Sequence, residues 1–171
     1  MTSIIRASSG APISIIDQDG TLNRIARAAN QTAFSNLSKD EIKKLIGIFK
    51  TPQGVFFINP SVKDPVTGQA AKGLGTSFPG QVFFDNQPGQ TGNLERNFID
   101  GPTFFNIDAS VIKNIQLKES LRLQFRAEAF NLFNHANFFL GQRQDVNSTN
   151  FFKINSTFGP RVIQLVGRIE F

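Results

Sequence analysis

Between Leu121 and Ala129 the chain alternates without a break. Leu121, Leu123, Phe125, Ala127 and Ala129 are apolar, and Arg122, Gln124, Arg126 and Glu128 between them are polar. Successive strand side chains point to opposite sides, so a period of two means a β-strand with one apolar and one charged face. Any fold for this segment must bring the first face an apolar neighbour and the second face water or counter-charge. Phe105, Ile107, Ala109 and Val111 repeat the pattern against Asn106, Asp108 and Ser110, until Ile112 breaks it on the polar side. Ile163, Leu165, Gly167, Ile169 and Phe171 do so again against Gln164, Arg168 and Glu170, with Val162 and Val166 intruding on the polar side.

The connections alternate in length. Ile115–Ser120 reads as a short polar turn, whereas His135–Pro160 is long and rich in Asn, Ser, Thr, Gly and Phe. Upstream, residues 4–16 predict a further strand, interrupted by Ser8-Ser9-Gly10 and followed by about 85 residues before Phe104, too many for a structureless loop in a compact domain. One element within that stretch is a helix. Ser38-Lys-Asp-Glu41 is a capping box, Ile42, Leu45 and Ile46 form an i, i+3, i+4 stripe, and Gly47 is placed to stop it. Gly54-Val-Phe-Phe-Ile-Asn59 and Gln81-Val-Phe-Phe-Asp-Asn86 are near-repeats, expected to pair with one another as aromatic-rich strands.

Composition narrows the classes. With 40% hydrophobic and 18% charged residues the chain is too apolar for disorder and too polar for a bundle of membrane helices. No apolar run approaches the ~20 residues a spanning helix needs. The absence of Cys excludes disulfides and thiol chemistry, and a single His leaves little for imidazole catalysis. The net charge of +5 is dispersed along strand-like segments, which argues for polar strand faces and against a nucleic-acid partner. Residues 1–10 lack the basic, apolar and small-residue regions of a secretory signal, from which a missing front end is one expectation.

Two-faced strands suit a soluble sandwich or the wall of an outer-membrane barrel, apolar side to lipid and charged side to a wet lumen. Three features favour the wall. Strands of about ten residues, tilted about 45°, cross an apolar band ~25 Å tall. Short and long connections alternate as periplasmic turns and extracellular loops do. Phenylalanines gather at strand ends: Phe104 and Phe105, then Phe130, Phe133, Phe138 and Phe139, then Phe171. The expected fold class is therefore all-β, an antiparallel transmembrane barrel fragment of about four terminal strands. Its layout is a strand over 1–18, a long extracellular loop over 19–103 with a helix near 38–47, and the last three strands over 104–171. Single-chain barrels begin at about eight strands, so the chain reads as a piece of one.

Four runs carry a family resemblance: Gly89-Gln-Thr-Gly-Asn-Leu-Glu-Arg-Asn97, Gly101-Pro-Thr-Phe-Phe-Asn-Ile-Asp108, Leu121-Arg-Leu-Gln-Phe-Arg-Ala-Glu-Ala-Phe-Asn-Leu-Phe-Asn-His-Ala-Asn-Phe138, and Arg168-Ile-Glu-Phe171. They resemble the C-terminal end of TonB-dependent outer-membrane receptors, in the group, frequent in Acidobacteria, that carries a carboxypeptidase-regulatory-like N-terminal domain. The resemblance implies the last four strands of a barrel of about 22. It also implies TonB-powered uptake of a large scarce nutrient such as a siderophore, vitamin or glycan, with no activity of this part alone. Implied partners are outer-membrane lipid, the remaining strands and plug of the parent receptor, the TonB complex through that parent, and the barrel-assembly machinery. On this reading Gln164, Gly167, Ile169 and Phe171 form the assembly signal. The family places Gly five residues before the final Phe, where this chain has Val166 followed by Gly167.

Asp108, Arg122, Gln124, Arg126, Glu128, Arg168 and Glu170 are then lumen-facing, as a cross-strand charge ladder or a substrate path. Ile107, Val111, Leu121, Leu123, Phe125, Ile163 and Leu165 face lipid. A competing motif is Ser14-Ile-Ile-Asp-Gln-Asp-Gly-Thr-Leu22, which resembles the first motif of haloacid-dehalogenase-like phosphatases, with Asp17 as nucleophile and Asp19 as acid/base. Its plain alternative is an Asp-Gly turn leaving a strand. The other acids stand singly in sequence, and His135 reads as a loop-tip residue. Asn30, Asn36, Asn147 and Asn155 match glycosylation acceptors without meaning in a bacterial outer-membrane protein. No catalytic residue, metal or cofactor is assigned.

Overall fold

The computed structural model describes residues 1–22, 30–73 and 77–171. The main elements in chain order are β1 (Thr2–Ser8), α1 (Lys39–Lys44), β2 (Ile46–Thr51), β3 (Gly54–Ile58), β4 (Phe104–Lys118), β5 (Leu121–Phe130), β6 (Lys153–Ile154) and β7 (Val162–Glu170). They fall into two compact units. A sheet unit comprises Met1–Ser9, Thr103–Phe138 and Thr157–Phe171; a loop unit comprises Gly10–Pro102 and Phe139–Ser156.

The sheet unit is one antiparallel sheet in the order β1-β4-β5-β7. The upstream strand ends at Ser8, where Ser9-Gly10 interrupts it, and does not run on to residue 18. β4 is longer than its alternation suggested, passing through Ile112 and Ile115 to Lys118. The turn to β5 is therefore Glu119-Ser120 alone, and the six residues Ile115–Ser120 are mostly strand. A register shift between Gln116 and Lys118 accompanies that turn. Gln116 closes it, its Nε2 donating to the carbonyls of Lys118 at 2.6 Å and Glu119 at 3.3 Å. The face of this sheet that carries Leu165, Ile169 and Phe125 is open: they are 77%, 63% and 50% exposed.

The loop unit holds the buried core, including Ile15, Ile42, Ile58, Phe83, Val146, Phe151 and Phe152. Phe83 meets Phe151 edge-on at 5.6 Å between ring centroids, Phe151 meets Phe152 at 4.7 Å, and Phe152 stacks on Phe57 at 6.2 Å. Burying such a ring contributes about 1.5–3 kcal/mol. The two long connections of the sequence thus share one core, knitted by strand pairs of two residues. Pro12–Ile13 pairs with Ile99–Asp100, Ile16–Asp17 with Gln31–Thr32, and Phe34–Ser35 with Phe83–Phe84. The Val-Phe-Phe repeats do not pair with each other: β3 lies between β2 and β6, while Phe83–Phe84 joins Phe34–Ser35.

The helix forms where its cap predicts. Ser38 Oγ accepts from the Glu41 amide at 3.4 Å, and the Ser38 amide donates to Glu41 Oε2 at 2.8 Å. Bonds from the Ser38 hydroxyl and amide hold the Glu41 carboxyl below its usual range. The helix ends at Lys44 with Leu45 as C-cap, and Gly47 lies inside β2, so strand pairing and not glycine terminates it.

Candidate functional site

Register decides which side chains share a face, because directly opposed residues point the same way. On one face Ile5 stands opposite Ile107, Val111 opposite Ala127, and Ile115 opposite Leu123. The rows continue into β7, with Leu123 opposite Ile169, Ala127 opposite Leu165 and Ala129 opposite Ile163. Leu121 lies beyond the register shift, opposite Lys118. The apolar residues of four strands form one continuous surface. One cation interrupts it: Lys113 opposes Phe125, which opposes Gly167. Ile112 and Lys113 break the alternation, which resumes in the same phase at Asn114 and so sets Lys113 on the apolar side.

The opposite face is polar. Arg122 stands between Gln116 and Glu170, Gln124 between Asn114 and Arg168, and Glu128 between Ser110 and Gln164. Gln124 Nε2 donates to Asn114 Oδ1 at 2.9 Å, and Arg122 Nε to Gln116 Oε1 at 3.3 Å. Arg126 pairs with Glu128 along β5, and Arg168 with Glu170 at 3.0 Å along β7. Arg6 of β1 reaches Asp108 Oδ2 at 2.7 Å, while Asn106 Nδ2 donates to Asp108 Oδ1 at 2.8 Å. Exposed pairs of this kind contribute only about 0–1 kcal/mol each, so their effect is to balance charge across the face more than to stabilise the sheet. Ile112 and Val166 flank Arg126, and Ile4 opposes Asp108, so the polar face carries apolar interruptions.

At the end of the sheet away from the Glu119-Ser120 turn, the Phe130-Asn-Leu-Phe-Asn-His-Ala-Asn137 block ties the strands together. Asn131 and Asn134 adopt left-handed conformations, φ 51° each, which Asn tolerates better than other side chains that carry a Cβ. The Asn131 amide donates to Asp108 Oδ1 at 2.9 Å, and its Nδ2 donates to the carbonyls of His135 and Gly159. Asn137 brackets Phe105, accepting from its amide and donating to its carbonyl, both at 2.8 Å. Asn134 Oδ1 accepts from the Arg161 amide, just before β7. The three asparagines, spaced three apart, thus fix the ends of β4, β5 and β7. Sequence reasoning matched this block as a family feature and missed the spacing as its physical content. His135 is exposed, its Nδ1 lying 3.1 Å from Asn137 Oδ1 and its ring edge-on to Phe105.

In the loop unit, Asp17 is fully buried and its oxygens accept from the Asp19 amide at 2.9 Å, the Asn86 amide at 2.8 Å and Asn147 Nδ2 at 2.9 Å. A carboxylate that accepts from these donors and is shielded from solvent acts as a structural hub of the loop unit. The acids that stood singly in sequence are not all apart in space. Burial, with Asp17 and Asp19 nearby, pushes Asp85 up, and burial with Asp19 and Asp17 pushes Asp145 up. Among the described residues no group of His, Cys, Asp or Glu is arranged to hold a metal ion.

Of the expected assembly signal, Gln164 lies on the polar face, Gly167 and Ile169 lie on the apolar face, and Phe171 is almost fully exposed at the chain end. No curated protein and no solved structure matches the chain. A family model described as an outer membrane beta barrel domain matches residues 1–164. An antiparallel sheet with one open apolar face and one charged face is what that match requires of a barrel wall, and the chain belongs to the outer membrane beta barrel domain family as a protein of the outer membrane.

Proposed function

We propose that this chain is the C-terminal part of a TonB-dependent receptor barrel, serving uptake of a large nutrient across the outer membrane. The face bearing Ile107, Val111, Leu121, Leu123, Phe125, Ile163 and Leu165 meets lipid, and the face bearing Asp108, Arg122, Gln124, Arg126, Glu128, Arg168 and Glu170 meets the lumen and plug. The observation that carries this reading is the open apolar face: the sheet displays rows of large aliphatic side chains while the loop unit buries a core of its own. A soluble two-layer module needs that face covered. The strands joined by Glu119-Ser120 meet at the periplasmic side, and the connections gathered in the loop unit lie outside the cell. On this reading Lys113, opposite Phe125, must extend its ammonium along the apolar face to the membrane surface. The outer edges of β1 and β7 have no strand partner among the described residues, which is where neighbouring strands of the parent barrel join.

The test is reconstitution with the barrel-assembly machinery in lipid vesicles, with and without a polypeptide carrying the preceding strands of such a receptor. The reading expects a heat-modifiable, urea-resistant barrel only with both pieces. A soluble, monomeric, folded chain that ignores vesicles defeats it.

A further inference from the structure

The loop unit contains a hollow of about 530 Å³ whose walls include Phe56, Pro60, Lys63, Pro65, Pro79 and Lys153. Lys63 is buried, 8% exposed, and its Nζ donates to the carbonyls of Thr149 at 3.2 Å and Phe151 at 3.3 Å. It also lies 4.5 Å from the centroid of the Phe56 ring, and Lys153 Nζ lies 6.0 Å from the same centroid. Two ammonium groups therefore share one ring. Neither forms an ion pair with a carboxylate among the described residues. Asp64 also lines the hollow, but its oxygens take the Val66 amide at 2.9 Å, the Thr67 hydroxyl at 3.0 Å and Lys72 at 3.4 Å.

Buried charge is retained at a cost unless paired, and two carbonyl dipoles with a ring face leave a surplus of positive charge at the wall of a cavity. Burial, and then Lys153, press the Lys63 ammonium down to about 8, the response of a cation lacking a counter-ion. Pro60, Pro65 and Pro79 supply apolar surface to the rest of the wall, beside the polar Gln53, Ser61 and Thr149. A complementary occupant carries one negative group for the lysines and an apolar body for the prolines.

We propose that this hollow binds the anionic group of a small organic acid, with Lys63 and Lys153 as its charged contacts and the proline walls holding its apolar body. The site stands on the loop unit alone and goes beyond the transport reading, so binding is measurable whether or not the sheet completes a barrel.

The experiment titrates benzoate, acetate and inorganic phosphate into the full chain refolded in detergent micelles, followed by calorimetry and by saturation-transfer NMR. Benzoate is expected to bind more tightly than acetate or phosphate. Lys153→Met, at a partly exposed position, is expected to weaken benzoate about tenfold, and Lys63→Met further, with Lys153→Arg retaining binding. Circular dichroism establishes that each variant is folded; should Lys63→Met fail to fold, Lys153→Met against Lys153→Arg decides alone. Absence of benzoate binding overturns the proposal, as does benzoate binding that Lys153→Met leaves unchanged. Phosphate or acetate binding as tightly as benzoate overturns the assignment to an organic acid.

Discussion

Gly167 of β7 stands directly opposite Phe125 of β5 on the apolar face, yet a Cβ built on Gly167 meets nothing within 4 Å. The backbone there does not need glycine for space. Gly167→Ala is therefore expected to leave the sheet intact, or to stabilise it by about 0.5–1 kcal/mol by restricting the unfolded chain. If Gly167 belongs to the assembly signal, the same variant slows insertion by the barrel-assembly machinery while unaided refolding in detergent keeps its rate. Equal loss in both assays would make the residue structural.

Neighbouring residues Gln164 and Leu165 test the two faces. Register puts Gln164 opposite Glu128 and Leu165 opposite Ala127. A charge on the lipid side of a barrel costs about 2–4 kcal/mol near the bilayer midplane, whereas the lumen side tolerates it. Leu165→Arg is expected to abolish urea-resistant membrane integration of the assembled protein and Gln164→Arg to preserve it. Extraction with urea after reconstitution reads both.

These faces were the most legible part of the fold, because strict alternation in 121–129 survives any error in strand length. The end of β4 was obscured by one exchange: Ile112 and Lys113 swap the polar and apolar sides, and the alternation resumes in the same phase from Asn114 to Lys118. The loop unit was hidden for a different reason. Apart from the hairpin of β2 and β3, its strand pairs are two residues long and carry no periodicity, and its core joins Phe83 to the Phe151-Phe152 pair, about 68 residues further along the chain. Asp17, weighed in the sequence as a nucleophile or as the start of an Asp-Gly turn leaving a strand, closes the strand Ile16–Asp17, and its buried side chain organises Asn86 and Asn147.

Asp17→Ala leaves three donors without their acceptor inside the loop unit. Each orphaned buried group costs about 1–3 kcal/mol, so this variant is expected to be among the most destabilising in the chain. Asp19→Ala removes an exposed carboxylate beside the other acids and is expected to stay within about 0.5 kcal/mol of the parent. Thermal unfolding of the two variants side by side checks the contrast; a catalytic pair would have shown similar, small effects on stability.

Lys63 sets a stability slope with pH. Its ammonium, lowered from the usual 10.5 to about 8, is disfavoured in the folded state relative to the unfolded one. Below about pH 8 the group is charged in both states and the penalty is complete. As pH rises from about 8 towards 10.5 the folded state holds the neutral amine and the penalty is relieved, so stability increases across that window. Lys63→Met is expected to remove this increase, measured as the difference between the unfolding midpoints of parent and variant at pH 7 and pH 10.

Asp145 gives the opposite signature among the acids. Burial, with Asp19 and Asp17, raises its carboxyl, so the charged form weakens the fold at neutral pH and the loss is recovered as pH falls through the folded-state value. Its Oδ1 accepts from the Gln18 and Asn147 amides, and an Asn oxygen can accept both. Asp145→Asn is expected to raise the thermal midpoint at pH 7 and to lose that advantage in acid.

The most direct test of the central claim is accessibility of the two sheet faces to lipid after assembly. Single cysteines at positions 123 and 124, probed with a brominated-lipid-quenched fluorophore in vesicles containing the completed barrel, should give strong quenching at 123 and little at 124. Equal quenching at both, or stronger quenching at 124, contradicts a wall whose apolar face meets lipid and whose charged face lines the lumen.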